Sequence, residues 1–265
     1  MAVRREPEER AGQAPRADAA DRRMALAAAA LLVFGTALFW SPLRHVDLDA
    51  MDGFGLVGVL PGATLAGAAA IVVSFMLTLA LPRPHRVLLV AQIAVLIATL
   101  HGVAQALEPE ARFPTAWQTA GFIEYIERTH TVAWDLDARF STPGFFAFVA
   151  FVLKATGQHD ISPVLKWAPP FTDLMYLVPY MLILRVLRAT WRAKWFAAWL
   201  FIAANWVGQD YLSPQAFAYL LYLYFVAILV NWFRHHDETP RRAGRRRSPD
   251  GSGGAEGRRR AGGLA

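Results

Sequence analysis

The stretch GFFAFVAFVLKATG, residues 144–157, is apolar at nearly every position but carries Lys154 near its end. A helix of this length rises about 21 Å, against a hydrocarbon core of about 30 Å. Whether it crosses a bilayer decides the side on which every later loop lies. Basic residues resolve the question, because Lys and Arg accumulate in short cytoplasmic loops. If 144–157 does not cross, all of the 27 Lys and Arg residues except Arg44, Arg112, Arg128, Arg139, Lys154 and Lys166 fall on one side. If it crosses, RVLRATWRAK (185–194) and the Arg-rich C-terminal tail both move to the opposite face. The segment is therefore expected to lie as an interfacial or re-entrant helix on the outer face.

Working outward, apolar blocks cover 24–40, about 57–81, 87–105, 169–187, 195–207 and 215–233. The chain is 55% hydrophobic, above the roughly 45–50% of soluble domains, and its mean hydropathy is +0.29. The expected fold is all-α: a polytopic membrane bundle of about six transmembrane helices, with both termini cytoplasmic. Pro169 and Pro170 are expected to open the fourth span. Residues 1–23 and 234–265 read as disordered tails flanking the membrane domain 24–233, and 106–143 as a long polar loop. The first span reads as an anchor, since a long polar stretch precedes it and no small-residue cleavage site follows. Cysteine is absent, which excludes disulfides, thiolate metal sites and a cysteine nucleophile. The net charge of +6 is accounted for by topology, and no nucleic-acid partner is needed.

The outer face on this reading is acidic. VDLDAMD (46–52) and WDLDARF (134–140) each contain a D-x-D pair, Asp47/Asp49 and Asp135/Asp137. In extended backbone that spacing turns both carboxylates to one side, where they could share a hard cation; solvated loop acidity is the plainer reading. GQDYLSPQ (208–215) is a tight outer turn in which Gln209, Asp210 and Tyr211 are candidate substrate contacts, or simply turn polarity and an interfacial anchor. His101 and Gln105 read as interhelical hydrogen-bond partners. There is no phosphate-binding glycine loop and no G-x-S-x-G motif. Transfer chemistry on the outer face would need a donor already there, such as a lipid-linked sugar.

VDLDAMDGFGLVGVLP (46–61), GFIEYIERTH (121–130), DLDARFSTPGFF (135–146), KWAPPFTDLMYL (166–177) and NWVGQDYLSPQAFAYLLYL (205–223) occur in this order. In this the chain resembles a group of actinobacterial multi-pass membrane proteins related to the GT-C class of polyprenyl-phosphate-sugar-dependent glycosyltransferases. Members of the group are longer, so the chain is expected to correspond to their N-terminal part. The resemblance implies glycosyl transfer to an envelope glycan acceptor, with an acidic residue of the first outer loop, Asp47 or Asp49, as general base. On that expectation Asp135, Asp137 and Asp210 would bind a divalent cation (Mg or Mn) or the donor phosphate. Arg139 would pair with the phosphate, and 144–157 would help seat the lipid tail. A non-catalytic scaffold or truncated family member, and a small transporter, are the alternative functions. For a transporter the intramembrane candidates are Gln92, His101, Asp173 and Asn205.

Overall fold

The computed structural model describes residues 6–158, 160–205 and 210–236. Among these the chain is helical, with no strand. Ten helices follow in order: α1 (Glu6–Trp40), α2 (Leu56–Val59), α3 (Gly62–Ala80), α4 (Arg86–Leu100), α5 (Val103–Leu107), α6 (Pro114–Thr129), α7 (Gly144–Thr156), α8 (Ser162–Val186), α9 (Trp191–Ala204) and α10 (Pro214–His236). Among the described residues three segments are long and apolar enough to cross a membrane: Ala19–His45, Gly62–Ala80 and Pro214–Phe233. Arg86–Leu100 and Gly144–Thr156 are shorter apolar helices. In the Pro214–Phe233 segment only 17% of the most apolar window is buried. Leu221, Tyr222, Phe225, Ile228 and Trp232 all point outward. An apolar surface of that extent fits lipid and not water.

Lipid is as apolar as leucine, so burying a leucine between spans gains little; close packing and interhelical hydrogen bonds hold the spans together. The α1–α3 pair uses both. Gly35 and Gly67 let the two backbones touch. Ser74 Oγ donates to Ala28 O at 2.7 Å and Thr64 Oγ1 to Phe39 O at 3.2 Å. α4 joins through Gln92, whose Nε2 donates to Ser74 Oγ (2.8 Å) and Thr78 Oγ1 (2.9 Å). The bundle core is completed by Ile71, Phe75, Leu89, Ile93, Trp199 and Ile202, with Phe75 stacked on Trp199 at 4.1 Å between centroids.

The two ends of the bundle differ chemically. At one end Arg192 donates from Nε to Leu79 O (2.8 Å) and from Nη2 to Leu81 O (2.9 Å), satisfying the last carbonyls of α3. Lys194 Nζ does the same for Arg185 O at 3.1 Å. Arg22 and Arg83 line one small pocket at this end. At the other end Phe39, Leu43 and Val103 pack together beneath the acidic loop that precedes α2.

A second core lies beside that acidic end. α6 buries Ala116, Thr119, Ala120 and Ile123, a single helical stripe, against Phe146, Val149, Ala150 and Leu153 of α7 and Leu165 of α8. The polar loop expected over 106–143 thus contains an amphipathic helix. Its four buried positions lie among polar neighbours, too sparse to register as an apolar block. α7 ends at Gly157, which takes φ +69° and closes the helix with N–H bonds from Gly157 to Lys154 O and from Gln158 to Leu153 O.

Two further expectations are corrected. α1 begins at Glu6, so residues 6–23 continue the first helix where a disordered tail was expected. Ala, Glu and Arg are strong helix formers, and extending an existing helix is far easier than nucleating one. α8 begins at Ser162 and runs through Pro169, Pro170 and Pro179. The prolines forfeit backbone hydrogen bonds, but neighbouring helices and side chains re-satisfy such groups in a bundle. Residues 1–5 and the tail 237–265 lie outside the described residues.

Candidate functional site

The site is built around residues 210–217, which lead into and begin α10. Ser213 caps the helix: its Oγ accepts the Ala216 N–H at 3.1 Å, and Pro214 occupies the first helical position. With the cap fixed, the preceding residues turn inward and the following ones line the groove between α7 and α8.

Asp210, 4% exposed, points into the bundle. Its Oδ2 lies 3.0 Å from Nδ1 of His101, which ends α4. The same Nδ1 lies 2.8 Å from Oδ2 of Asp173, a fully buried residue in the middle of α8. His101 Nε2 is 3.2 Å from Ile202 O on α9. A carbonyl only accepts, so Nε2 carries a proton and Nδ1 is left to face the two carboxylates. Asn205, at the end of α9, donates from Nδ2 to Asp173 Oδ1 at 2.5 Å. Four elements therefore converge on one imidazole. Nδ1 offers a single position, and both Oδ2 atoms face it. Apart from that contact, Asp173 Oδ2 and Asp210 Oδ1 are buried without a hydrogen-bond partner. His101, Asp173 and Asp210 each offer a ligand atom, all within 4.8 Å of one another, an arrangement able to hold a metal ion.

Two cavities meet Tyr211, the residue after Asp210, which lines both. One, about 440 Å³, is an apolar groove among α7, α8 and α10, lined by Phe148, Val152, Trp167, Phe171, Ala216 and Phe217 among others. The other, about 300 Å³, is the more polar of the two, with Gln118, Arg139 and Gln215 lining it beside Phe122, Phe146 and Pro214. Arg139 is held from three sides. Its Nε and Nη2 donate to Asp137 Oδ1 (2.9 Å) and Oδ2 (2.7 Å), Nη1 donates to Gln118 Oε1 (3.0 Å), and the guanidinium lies 4.5 Å from the Phe122 ring centroid. The Arg139 side chain, aided by its backbone N–H, holds the Asp137 carboxyl well below the usual range, at about 2.

The sequence-predicted residues are distributed unevenly over this geometry. Asp210 and Tyr211 are at its centre, and Arg139 lines the polar pocket. Asp137 is committed to Arg139, and Asp135 is exposed. Neither belongs to the metal-capable group found among the described residues, so the expected union of Asp135 and Asp137 with Asp210 does not form. A guanidinium two residues away is a stronger local partner than a carboxylate on another element. Asp47 and Asp49 are exposed on the loop after α1, at the same end of the bundle; Asp47 Oδ1 accepts the Asp49 N–H at 3.0 Å, capping a short 3-10 turn. Gln209 lies outside the described residues. In the sequence His101, Asp173 and Asn205 stand out only as isolated polar residues within or beside apolar blocks. That is the one signal that marks intramembrane sites before partners are known.

Comparison with known proteins finds no matching family model, no matching curated protein and no matching solved structure.

Proposed function

We propose that the chain is a six-span envelope membrane protein that takes a lipid-linked sugar phosphate at its acidic end and transfers the sugar to a glycan acceptor. The observation that carries the reading is the wall that Tyr211 shares between an apolar groove and a polar pocket containing Arg139. A polyprenyl phosphate has the same division, a hydrocarbon chain joined to an anion. The groove takes the chain, and the polar pocket takes the phosphate. There the guanidinium, already oriented by Asp137 and Gln118, supplies a planar donor set suited to phosphate oxygens. The six spans are α1, α3, α4, α8, α9 and α10. The basic end faces the cytoplasm, and α6 and α7 lie on the outer leaflet. Asp47 is the candidate base for the acceptor hydroxyl, being exposed and on the same end. A scaffold would keep the fold without the chemistry.

The test is transfer from a labelled polyprenyl-phosphate sugar in membranes carrying the full chain. Val152→Glu puts a charge into the groove at an exposed position and should abolish donor crosslinking. Arg139→Gln should weaken donor capture at least tenfold. Asp47→Asn should keep capture and lose transfer by about 10²–10⁴-fold, the usual contribution of a general base. Donor capture that ignores both Val152→Glu and Arg139→Gln removes the reading.

A second reading, cation- or proton-coupled transport, is favoured by the buried His101–Asp173–Asp210 cluster at a junction of helices. Ion-driven uptake in proteoliposomes, with no transfer activity, would select it.

A further inference from the structure

We infer that His101, Asp173 and Asp210 form a binding site for a six-coordinate divalent cation that accepts a nitrogen ligand, of which Mn²⁺ is the natural probe. Three observations converge on it.

The first is charge. Two carboxylates are buried against one imidazole, and among the described residues no Lys or Arg pairs with either. Even with the imidazole protonated, the cluster carries an uncompensated negative charge inside the bundle, which a low-dielectric interior strongly disfavours.

The second is vacancy in the hydrogen bonding. Asp173 is fully buried, and its Oδ2 has no hydrogen-bond partner apart from the ring nitrogen, 2.8 Å away, that Asp210 Oδ2 also faces. Asp210 Oδ1 is likewise unpartnered. A cation among Nδ1 and the two Oδ2 atoms satisfies all three at once. The spacings suit one: Nδ1 lies 2.8 and 3.0 Å from the two oxygens. With metal–ligand bonds of about 2.1 Å, the edge of an octahedron is about 3.0 Å and that of a tetrahedron about 3.4 Å.

The third is the surrounding shell. A metal-binding histidine commonly donates its other N–H to a backbone carbonyl, which fixes the tautomer and aims the free lone pair at the ion. His101 does this through Nε2 to Ile202 O. Asn205 holds Asp173 Oδ1, leaving Oδ2 to face the site. Imidazole with two carboxylates excludes soft thiophilic ions and favours Mn²⁺-like cations over Mg²⁺, which prefers an all-oxygen shell. Binding here stands whether or not the chain transfers a sugar, so the readout is the ion itself.

The experiment titrates Mn²⁺ into the purified full chain in detergent, following loss of the free-ion EPR signal and the unfolding temperature. One ion per chain is expected, with a rise in unfolding temperature. Pulsed EPR should detect ¹⁴N coupling from a single imidazole. Asp173→Asn and Asp210→Asn should each weaken binding at least tenfold and remove the thermal shift, while the metal-free proteins stay folded, since each substitution removes a buried charge. Should either variant fail to fold, the ¹⁴N coupling of the wild-type chain remains the deciding measurement. A folded wild-type chain that binds no ion, a bound ion without nitrogen coupling, or binding indifferent to both substitutions overturns the assignment.

Discussion

Gly67 and Gly35 meet where α3 crosses α1. A Cβ placed on Gly67 would lie 2.5 Å from Phe39 N and 2.7 Å from Gly35 O. The contact is backbone against backbone, so no rotamer change can relieve it. Small residues at such crossings allow the close approach on which association in lipid depends.

Gly67→Ala should therefore force α1 and α3 apart and lower stability by about 1–3 kcal/mol, the usual range for overpacking, or more. Gly35→Ala should cost less, because its nearest neighbours are 3.0 Å away and include the Ala70 methyl. Gly121→Ala in α6, where a Cβ meets nothing within 4 Å, should stabilise by about 0.5–1 kcal/mol through helix propensity. Tryptophan-fluorescence melts in one detergent give the ranking. A Gly67→Ala protein melting with the wild type would show that the crossing is looser than described.

The side of the membrane taken by α7 can be read by labelling. The chain contains no cysteine, so single cysteines go into a clean background. Positions 135 and 160, on either side of α7 and both exposed, should react with an impermeant maleimide added outside intact cells. Position 190, between α8 and α9, should react only after permeabilisation. Protection at 160 together with labelling at 135 would mean that α7 crosses and that the bundle has another span.

The Asp137–Arg139 pair makes a prediction about acid. Asp137 titrates at about 2 in the folded chain, against an ordinary 3.8. A carboxyl with a depressed folded-state pKa contributes fully above its ordinary value and loses that contribution as pH falls through the folded one. The Arg139 geometry should thus persist at pH 4 and give way between about pH 4 and 2. Arg139→Ala should return the Asp137 midpoint upward, toward 3.8. Carboxyl ¹³C titration of labelled aspartate checks it, and an unmoved midpoint would mean that Arg139 is not the group holding the proton off.

Sequence alone determined the features that depend on local composition. Apolar blocks pointed to an all-helical chain with helices that fit a membrane, because backbone in lipid must satisfy its own hydrogen bonds. The distribution of Arg and Lys anticipated a bundle with one basic end, which Arg22, Arg83, Arg192 and Lys194 form. The prominence of GQDYLSPQ was also legible, since Ser213 and Pro214 are helix-start residues beside an isolated Asp210. Tertiary structure alone decided which polar residues meet. His101 and Asp210 are 109 positions apart, and Asn205 and Asp173 are 32 apart. No periodicity reports which faces of α4, α8 and α9 will turn toward one another. The D-x-D pairs show the converse. Their spacing is compatible with a shared cation, yet Asp137 turned to a guanidinium two residues away and Asp47 to a backbone N–H. A local partner already within reach costs little ordering entropy, so it captures a carboxylate before a distant element can.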